Sequence, residues 1–469
     1  MASCGSACDQ SHCRRPDDSG GAEEDVPERF SASRDSDTSK TAGGGDLARC
    51  SKCGEEPKAG THRVLNGMCA SCFRSYLYGK FKLAVSTNAM ISPTDKILVA
   101  FSGGPGSRVA LQFVHEMQKK SLESWDASKS QSFPVFGVGV AFVDESISSV
   151  IPSPELDRIF KHIKLIVSSL VPGHKDLHIA PIEDVCSMGS DDGTTRLNKL
   201  LNSVSDATGK EDFLDHLCML SLQKIALDNG YTKLVIGSCS STIARHVISA
   251  TVKGQGYSLP ADVQYVDARW EVPVVLPLRD CLTDELSLLC QLDGLETLQL
   301  SKRPSSSNSI NNLVSSFISR LQDDNPARER TIVRTAEKLK PFGFNKFVEN
   351  KYHEFIPSRL RCKFQNTNNG GSDLAEVFCT FCMSPLSESE LHDMHGKSQT
   401  LVDTFTAACC QSCSFQILPK ESESLQHFLS FLPQSMTRKV ADSTLEQSLL
   451  REMIDDCLLV DDDADGDRT

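Results

Sequence analysis

The chain has 469 residues, 39% of them hydrophobic, and 49 Lys and Arg stand against 62 Asp and Glu for a net charge of −13. That length allows two or three domains with a real core, and the acidic balance excludes a surface that binds nucleic acid indiscriminately. No run of about 18 apolar residues offers a membrane helix, so no membrane partner is expected.

The first thirty residues lack the apolar stretch of a secretory signal. An intracellular, cytoplasmic protein is therefore expected, and its 19 cysteines point to metal more than to disulfides. Residues 1–48 are rich in Ser, Gly and Asp without periodic apolar positions, which predicts disorder. Cys4, Cys8, Cys13 and His12 there read as incidental. A cysteine module follows at 49–80. Cys50 and Cys53 are separated by 15 residues from Cys69 and Cys72. Two CxxC knuckles of this kind complete a tetrahedral zinc site. Free thiols are the alternative. The intervening KAGTHRVLNGM offers turn residues and little core, so the metal would have to hold the module together.

Residues 90–300 carry an alternating pattern. KILVAF (96–101) reads as a buried strand and SRVALQFVHEMQKK (107–120) as a helix. FPVFGVGVAFVD (133–144) is a second strand, ELDRIFKHIKLIVSSL (155–170) an amphipathic helix and DLHIAPIEDV (176–185) a third strand. The stretch 187–212 reads as a loop insertion around a short helix. FLDHLCMLSLQKIALDNG (213–230) is a long helix stopped by Gly230. KLVIGS (233–238) and VPVVLPL (272–278) complete five strands. This alternation predicts an α/β fold with a parallel sheet covered on both faces.

Between the first strand and helix lies SGGPGS, residues 102–107. Ser102, Gly103, Gly104, Gly106 and Ser107 are the candidate phosphate or nucleotide contacts. Glycines admit a close ligand, and a helix start favours an anion. It is neither a Walker loop nor GxGxxG. Three readings stay open: a nucleotide grip using ATP, an inherited anion loop without turnover, and a turn kept for packing.

SKRPSSSNSINN (301–312) reads as a linker, followed by helical patterns at 313–338. Residues 328–363 hold ten basic and four acidic residues. Arg334, Lys338, Lys340 and Lys346 are candidate RNA contacts, with Phe342, Phe344, Phe347, Tyr352 and Phe355 available for stacking. A solvated helix face over core aromatics is the alternative. After the polar linker 365–373, a second module at 374–435 places Cys379 and Cys382 ahead of Cys410 and Cys413 across a gap of 27 residues. Zinc is again predicted, against a redox CxxC. Cys409 can replace Cys410, and His392 or His395 can replace one ligand. Residues 442–469 form an acidic tail, with ten acids and two arginines.

SGGPGS resembles the SGGxDS signature of PP-loop ATP pyrophosphatases, with the aspartate replaced by Gly106. With cysteine modules before and behind, and with IGSCSSTIARHVISATVKGQGYSLP (236–260), the chain resembles the cytoplasmic tRNA 2-thiolation protein 2 family over residues 50–415. Intact relatives carry GHNxDD where this chain has Gly237, Ser238, Cys239, Ser240, Ser241 and Thr242. They also carry a CxxC where it has SDATGKEDF. Cys218 and Cys239 are the nearby thiols and read as buried structural cysteines.

The resemblance implies a PP-loop α/β domain flanked by zinc-ribbon-like modules. It also implies a heterodimer with a catalytic PP-loop thiolase subunit. That complex 2-thiolates wobble uridine U34 (mcm5s2U) in lysine, glutamate and glutamine tRNAs. Its sulfur comes from a thiocarboxylated ubiquitin-related modifier protein. This chain would be the non-catalytic member. Two other readings compete: a self-sufficient ATP-dependent tRNA-adenylating sulfurtransferase, and a zinc-stabilised interaction protein without an RNA role.

Overall fold

The computed structural model describes residues 49–55, 67–127, 134–148, 152–187, 192–298, 308–325, 327–339, 378–386 and 401–437. The N-terminal segment 1–48, most of the basic stretch, the linker 365–373, His392, His395 and the acidic tail lie outside the described residues.

The strands are β1 (Lys96–Ala100), β2 (Gly137–Asp144), β3 (Asp176–Pro181), β4 (Lys233–Val235), β5 (Val266–Asp267) and β6 (Val274–Val275). They form one sheet in the order β3-β2-β1-β4-β6-β5. Every pairing is parallel except β5 on β6. The five predicted strands are β1 to β4 and β6; β5 has two residues, too few for a period to show.

The helices are α1 (Ala70–Thr87), α2 (Pro105–Ala127), α3 (Ser153–Ser168), α4 (Gly193–Ser203), α5 (Ala207–Asp228), α6 (Ser240–Lys253) and α7 (Leu259–Asp262). After these come α8 (Thr283–Leu292), α9 (Ile310–Asp324), α10 (Ala327–Ala336), α11 (Leu401–Ala407), α12 (Gln411–Ile417) and α13 (Ser422–Phe431).

Strand residues point alternately to two cores, as the period of a pleated strand requires. Ile97, Val99, Val140, Val235 and Val275 join one core, with residues of α1, α2, α3 and α8. Leu98, Ala141, Leu234 and Val274 join the other, with α5, α6 and α10. Both faces are covered, which is why these strands read as nearly continuous apolar runs.

The cysteine spacing at 50–72 hid a helix. The second knuckle runs straight into α1, where Phe73, Leu77 and Phe81 recur at helical spacing and are all fully buried. The Phe81 ring lies 5.4 Å from that of Phe113 on α2, so the N-terminal knuckles are joined to the α/β core by aromatic packing. The 187–212 stretch holds the expected short helix, but the helix is packed into a core instead of looping out. It carries α4 and the start of α5, and Leu197, Leu200 and Phe213 share a core with Phe381, Phe405 and Phe428 of the C-terminal segment. The linker also ends sooner than expected: buried Ser309 caps α9 by accepting from Asn312 N.

Candidate functional site

The sheet order places β1 centrally, with β2 on one side and β4 on the other. Successive connections leave β1 and β4 in opposite directions, and the crevice above their carboxyl ends is the usual ligand position in open α/β sheets. SGGPGS after β1 and IGSCS after β4 form its two walls.

In the first wall the loop turns through Gly103, whose φ of +78° suits glycine. Gly104 O accepts from Arg108 N at 3.0 Å and from Ser107 Oγ at 3.0 Å, and Ser102 Oγ donates to Ser107 Oγ at 3.2 Å. Both serine hydroxyls are thus engaged within the loop. Two further contacts close it. Leu298 N donates to Gly103 O at 2.9 Å, and its side chain is so close that a Cβ on Gly103 would fall 2.7 Å from Leu298 Cβ. A Cβ on Gly106 would fall 2.3 Å from Gly237 O, and one on Gly237 would fall 2.4 Å from Gly106 C. The two loops meet backbone to backbone. Gly106 therefore fills the aspartate position of the SGGxDS pattern with a contact that leaves no room for any side chain.

The second wall is the start of α6. Ser240 Oγ donates to Arg279 O at 2.6 Å, and Ser241 Oγ donates to the carboxylate of Glu329 while accepting from Thr283 N at 3.1 Å. Glu329 arrives from α10 and is buried. The place a ligand anion would take at this helix start is occupied by the chain's own Glu329 carboxyl. Burial pushes the Glu329 carboxyl above the usual range, opposed by the Ser241 hydrogen bond. Cys239 is buried, and its Sγ lies 3.2 Å from Thr283 Oγ1; Cys218 is half-buried in the helical layer.

Leu298 and Glu329 were not singled out by sequence. Leu298 lies in LETLQL, where leucines alternate with polar residues and no motif marks it, and the only signal for Glu329 is an acid amid the bases of ARERT. Of the proposed RNA contacts, Arg334 and Lys338 lie exposed on α10 or just past it, opposite buried Val333 and Ala336. Lys340 and Lys346 lie outside the described residues.

Both four-cysteine sets come together in space. The sulfurs of Cys50, Cys53, Cys69 and Cys72 lie within 4.8 Å of one another, as do those of Cys379, Cys382, Cys410 and Cys413. A tetrahedral ion with Zn–S bonds of about 2.3 Å sets its sulfurs about 3.8 Å apart. The Cys53–Cys69 pair is at 3.9 Å and the Cys382–Cys410 pair at 3.6 Å. The donor set and its spacing therefore fit a metal ion. Cys409 is outside this set; its thiol donates to Phe405 O at 3.3 Å.

The two clusters differ in setting. In the first, Cys50 is buried, Cys69 and Cys72 are half-buried, and Cys53 is exposed. The backbone N–H of Cys53, then those of Cys69 and Lys52, lower the Cys50 thiol to about 6, which favours the thiolate a metal needs. In the second, Cys379, Cys410 and Cys413 are buried and Cys382 is half-buried.

The family model described as cytoplasmic tRNA 2-thiolation protein 2 matches residues 309–452. The cytoplasmic tRNA 2-thiolation protein 2 of Oryza sativa subsp. japonica is 57% identical over 417 residues, covering 88% of this chain and 89% of that one. That of Arabidopsis thaliana is 52% identical over 401 residues, covering 84% and 86%. The Homo sapiens protein of the same name is 26% identical over 353 residues, covering 62% and 67%. Among solved structures, the U34-tRNA thiolase NcsA from Methanococcus maripaludis aligns at 19% identity and a TM-score of 0.46, covering 62% of this chain and 89% of that chain.

Proposed function

Because this chain belongs to the cytoplasmic tRNA 2-thiolation protein 2 family, we propose that it is the non-catalytic member of a cytoplasmic tRNA thiolation complex. It pairs with a PP-loop thiolase subunit, and the pair installs sulfur at C2 of wobble uridine U34 in lysine, glutamate and glutamine tRNAs. The partner carries out the chemistry. The uridine 2-oxygen attacks the α-phosphorus of ATP and pyrophosphate leaves. The thiocarboxylate sulfur of the modifier protein then attacks C2, and AMP departs with the former 2-oxygen. Water hydrolyses the acyl–sulfur bond to release 2-thiouridine and the modifier's carboxylate.

The observation that supports a non-catalytic role is the closed crevice. Adenylation needs an open loop for the phosphates and a carboxylate to handle magnesium or nucleotide geometry. Here Leu298 covers Gly103, and the Gly237 backbone occupies the space a side chain at 106 would need. The chain's contribution is then a shaped surface. Arg334 and Lys338 are exposed and available to tRNA phosphates; Lys340 and Lys346 extend the same basic segment in sequence. Both four-cysteine sets are assigned to zinc, which when bound closes the knuckles as a structural ion.

The chain incubated alone with ATP, magnesium and tRNA is expected to release no pyrophosphate above background. Co-expressed with a PP-loop partner, it is expected to co-purify with it, and its deletion to abolish 2-thiouridine at U34. Pyrophosphate release by the isolated chain would reverse this assignment in favour of a self-sufficient enzyme. Normal thiolation without the chain would leave only an interaction role.

A further inference from the structure

The C-terminal metal cluster receives a hydrogen bond from outside its own module. Gln255 lies in the turn after α6, following Gly254, and its main-chain N–H donates to Ala250 O at 2.8 Å. Its side chain is buried, and Nε2 donates to Cys413 Sγ at 3.6 Å across 158 residues of sequence. Beside it, Ser412 Oγ donates to Lys253 O at 2.6 Å, so α12 docks its first turn on the end of α6. The N-terminal cluster takes its sulfur hydrogen bonds from within its own module: Cys50 Sγ accepts from Lys52 N at 3.4 Å and Cys69 N at 3.2 Å, and Cys69 Sγ lies 3.3 Å from Ser71 Oγ.

We propose that Gln255 is a positioning residue for the C-terminal metal centre. Its carboxamide holds the Cys413 thiolate in place and ties metal occupancy to the fold of the α/β domain. A buried amide has few other uses for that N–H, and a donor to a ligating sulfur fixes its orientation and draws off charge. The other end of α6 carries Cys239 and Ser241 at the closed crevice. One helix thus spans from the metal centre to the sealed loop. The inference rests on the reading of Cys379, Cys382, Cys410 and Cys413 as metal ligands.

The test uses the full chain loaded with cobalt or zinc. Gln255→Met keeps the length and removes the donor; Gln255→Glu keeps the shape and replaces the donor with a carboxylate. Wild type is expected to hold two metals per chain and to release them to a chelator in two phases, the exposed N-terminal centre first. In either variant the slow phase is expected to accelerate roughly tenfold while the fast phase stays unchanged. In the methionine variant the thiolate-to-cobalt charge-transfer band of the slow centre should also move to lower energy, because a thiolate freed of its hydrogen bond is a better electron donor.

Loaded variants with the wild-type band and slow phase would overturn the role of Gln255 alone. Wild type without metal at the C-terminal cluster would overturn the metal reading and the proposal together. If Gln255→Met does not fold, Gln255→Asn keeps the amide but ends a methylene short, and the same slow phase decides.

Discussion

Gly106 carries two meanings that only the three-dimensional arrangement separates. In sequence it is a missing aspartate; in the fold it is the point where the loops after β1 and β4 touch. Its virtual Cβ lies 2.3 Å from Gly237 O, whereas that of Gly104 meets nothing nearer than Ser102 Oγ at 3.9 Å. Gly106→Ala is therefore expected to lower unfolding free energy by roughly 2–3 kcal/mol, since rigid backbone must move. Gly104→Ala should cost no more than about 1 kcal/mol. Urea denaturation of the two variants checks this, and equal small losses would show that the loops part easily. For the same reason Gly106→Asp alone should not create pyrophosphate release. The glycines were legible as a strand-to-helix corner because their spacing follows an apolar run. The partner of Gly106 was not, since 131 positions separate it from Gly237 and backbone contact leaves no mark on side-chain chemistry.

Periodicity revealed α2 and α3 because each has an apolar face repeated over several turns, whereas α5, buried nearly all round, was readable from its length and its stop at Gly230. Periodicity missed α1, where the cysteine spacing drew attention from Phe73, Leu77 and Phe81. It also missed the attachment of the C-terminal module, which depends on Phe213 meeting Phe381 and Phe428 at centroid distances of 5.9 and 6.0 Å. The placement of α10 on α6 has a measurable electrostatic consequence through Glu329. Its carboxyl is raised above its ordinary value of 4.5 chiefly by burial. The folded state therefore holds this proton more tightly than the unfolded chain does. The resulting stability is fully present below pH 4.5 and is lost as pH rises through the higher folded value. Glu329→Gln keeps a neutral group over the first turn of α6 and removes that dependence. The variant should match or exceed wild type in thermal stability at pH 7.5 and lose its advantage toward pH 4. A variant less stable than wild type at pH 7.5, with the gap closing in acid, would mean that the charged carboxylate is the stabilising form.

Over the full chain, the module order and the sheet were readable because cysteine pairs and β/α alternation are local patterns. The sealed crevice was not, because it is assembled from Leu298, Gly237 and Glu329, which are distant in sequence. Charge is a third property of the whole, and it bears on tRNA. A net charge of −13 opposes RNA, but at physiological salt the interaction between exposed charges falls off over about 8 Å. A basic face can then act locally in a chain of negative net charge. Arg334 and Lys338 are the exposed cations of the basic segment among the described residues beyond Val333. If they meet phosphates, the Arg334→Glu and Lys338→Glu double variant, purified with its PP-loop partner, should bind all tRNA substrates more weakly. Each lost contact should also lower the slope of log affinity against log salt by about 0.7 to 0.9. The loss should be uniform across tRNAs, since phosphate contacts position without reading sequence. Titration of labelled tRNA across a salt series measures both quantities. Unchanged affinity and slope would make this face of α10 a solvated surface and place RNA binding on the partner.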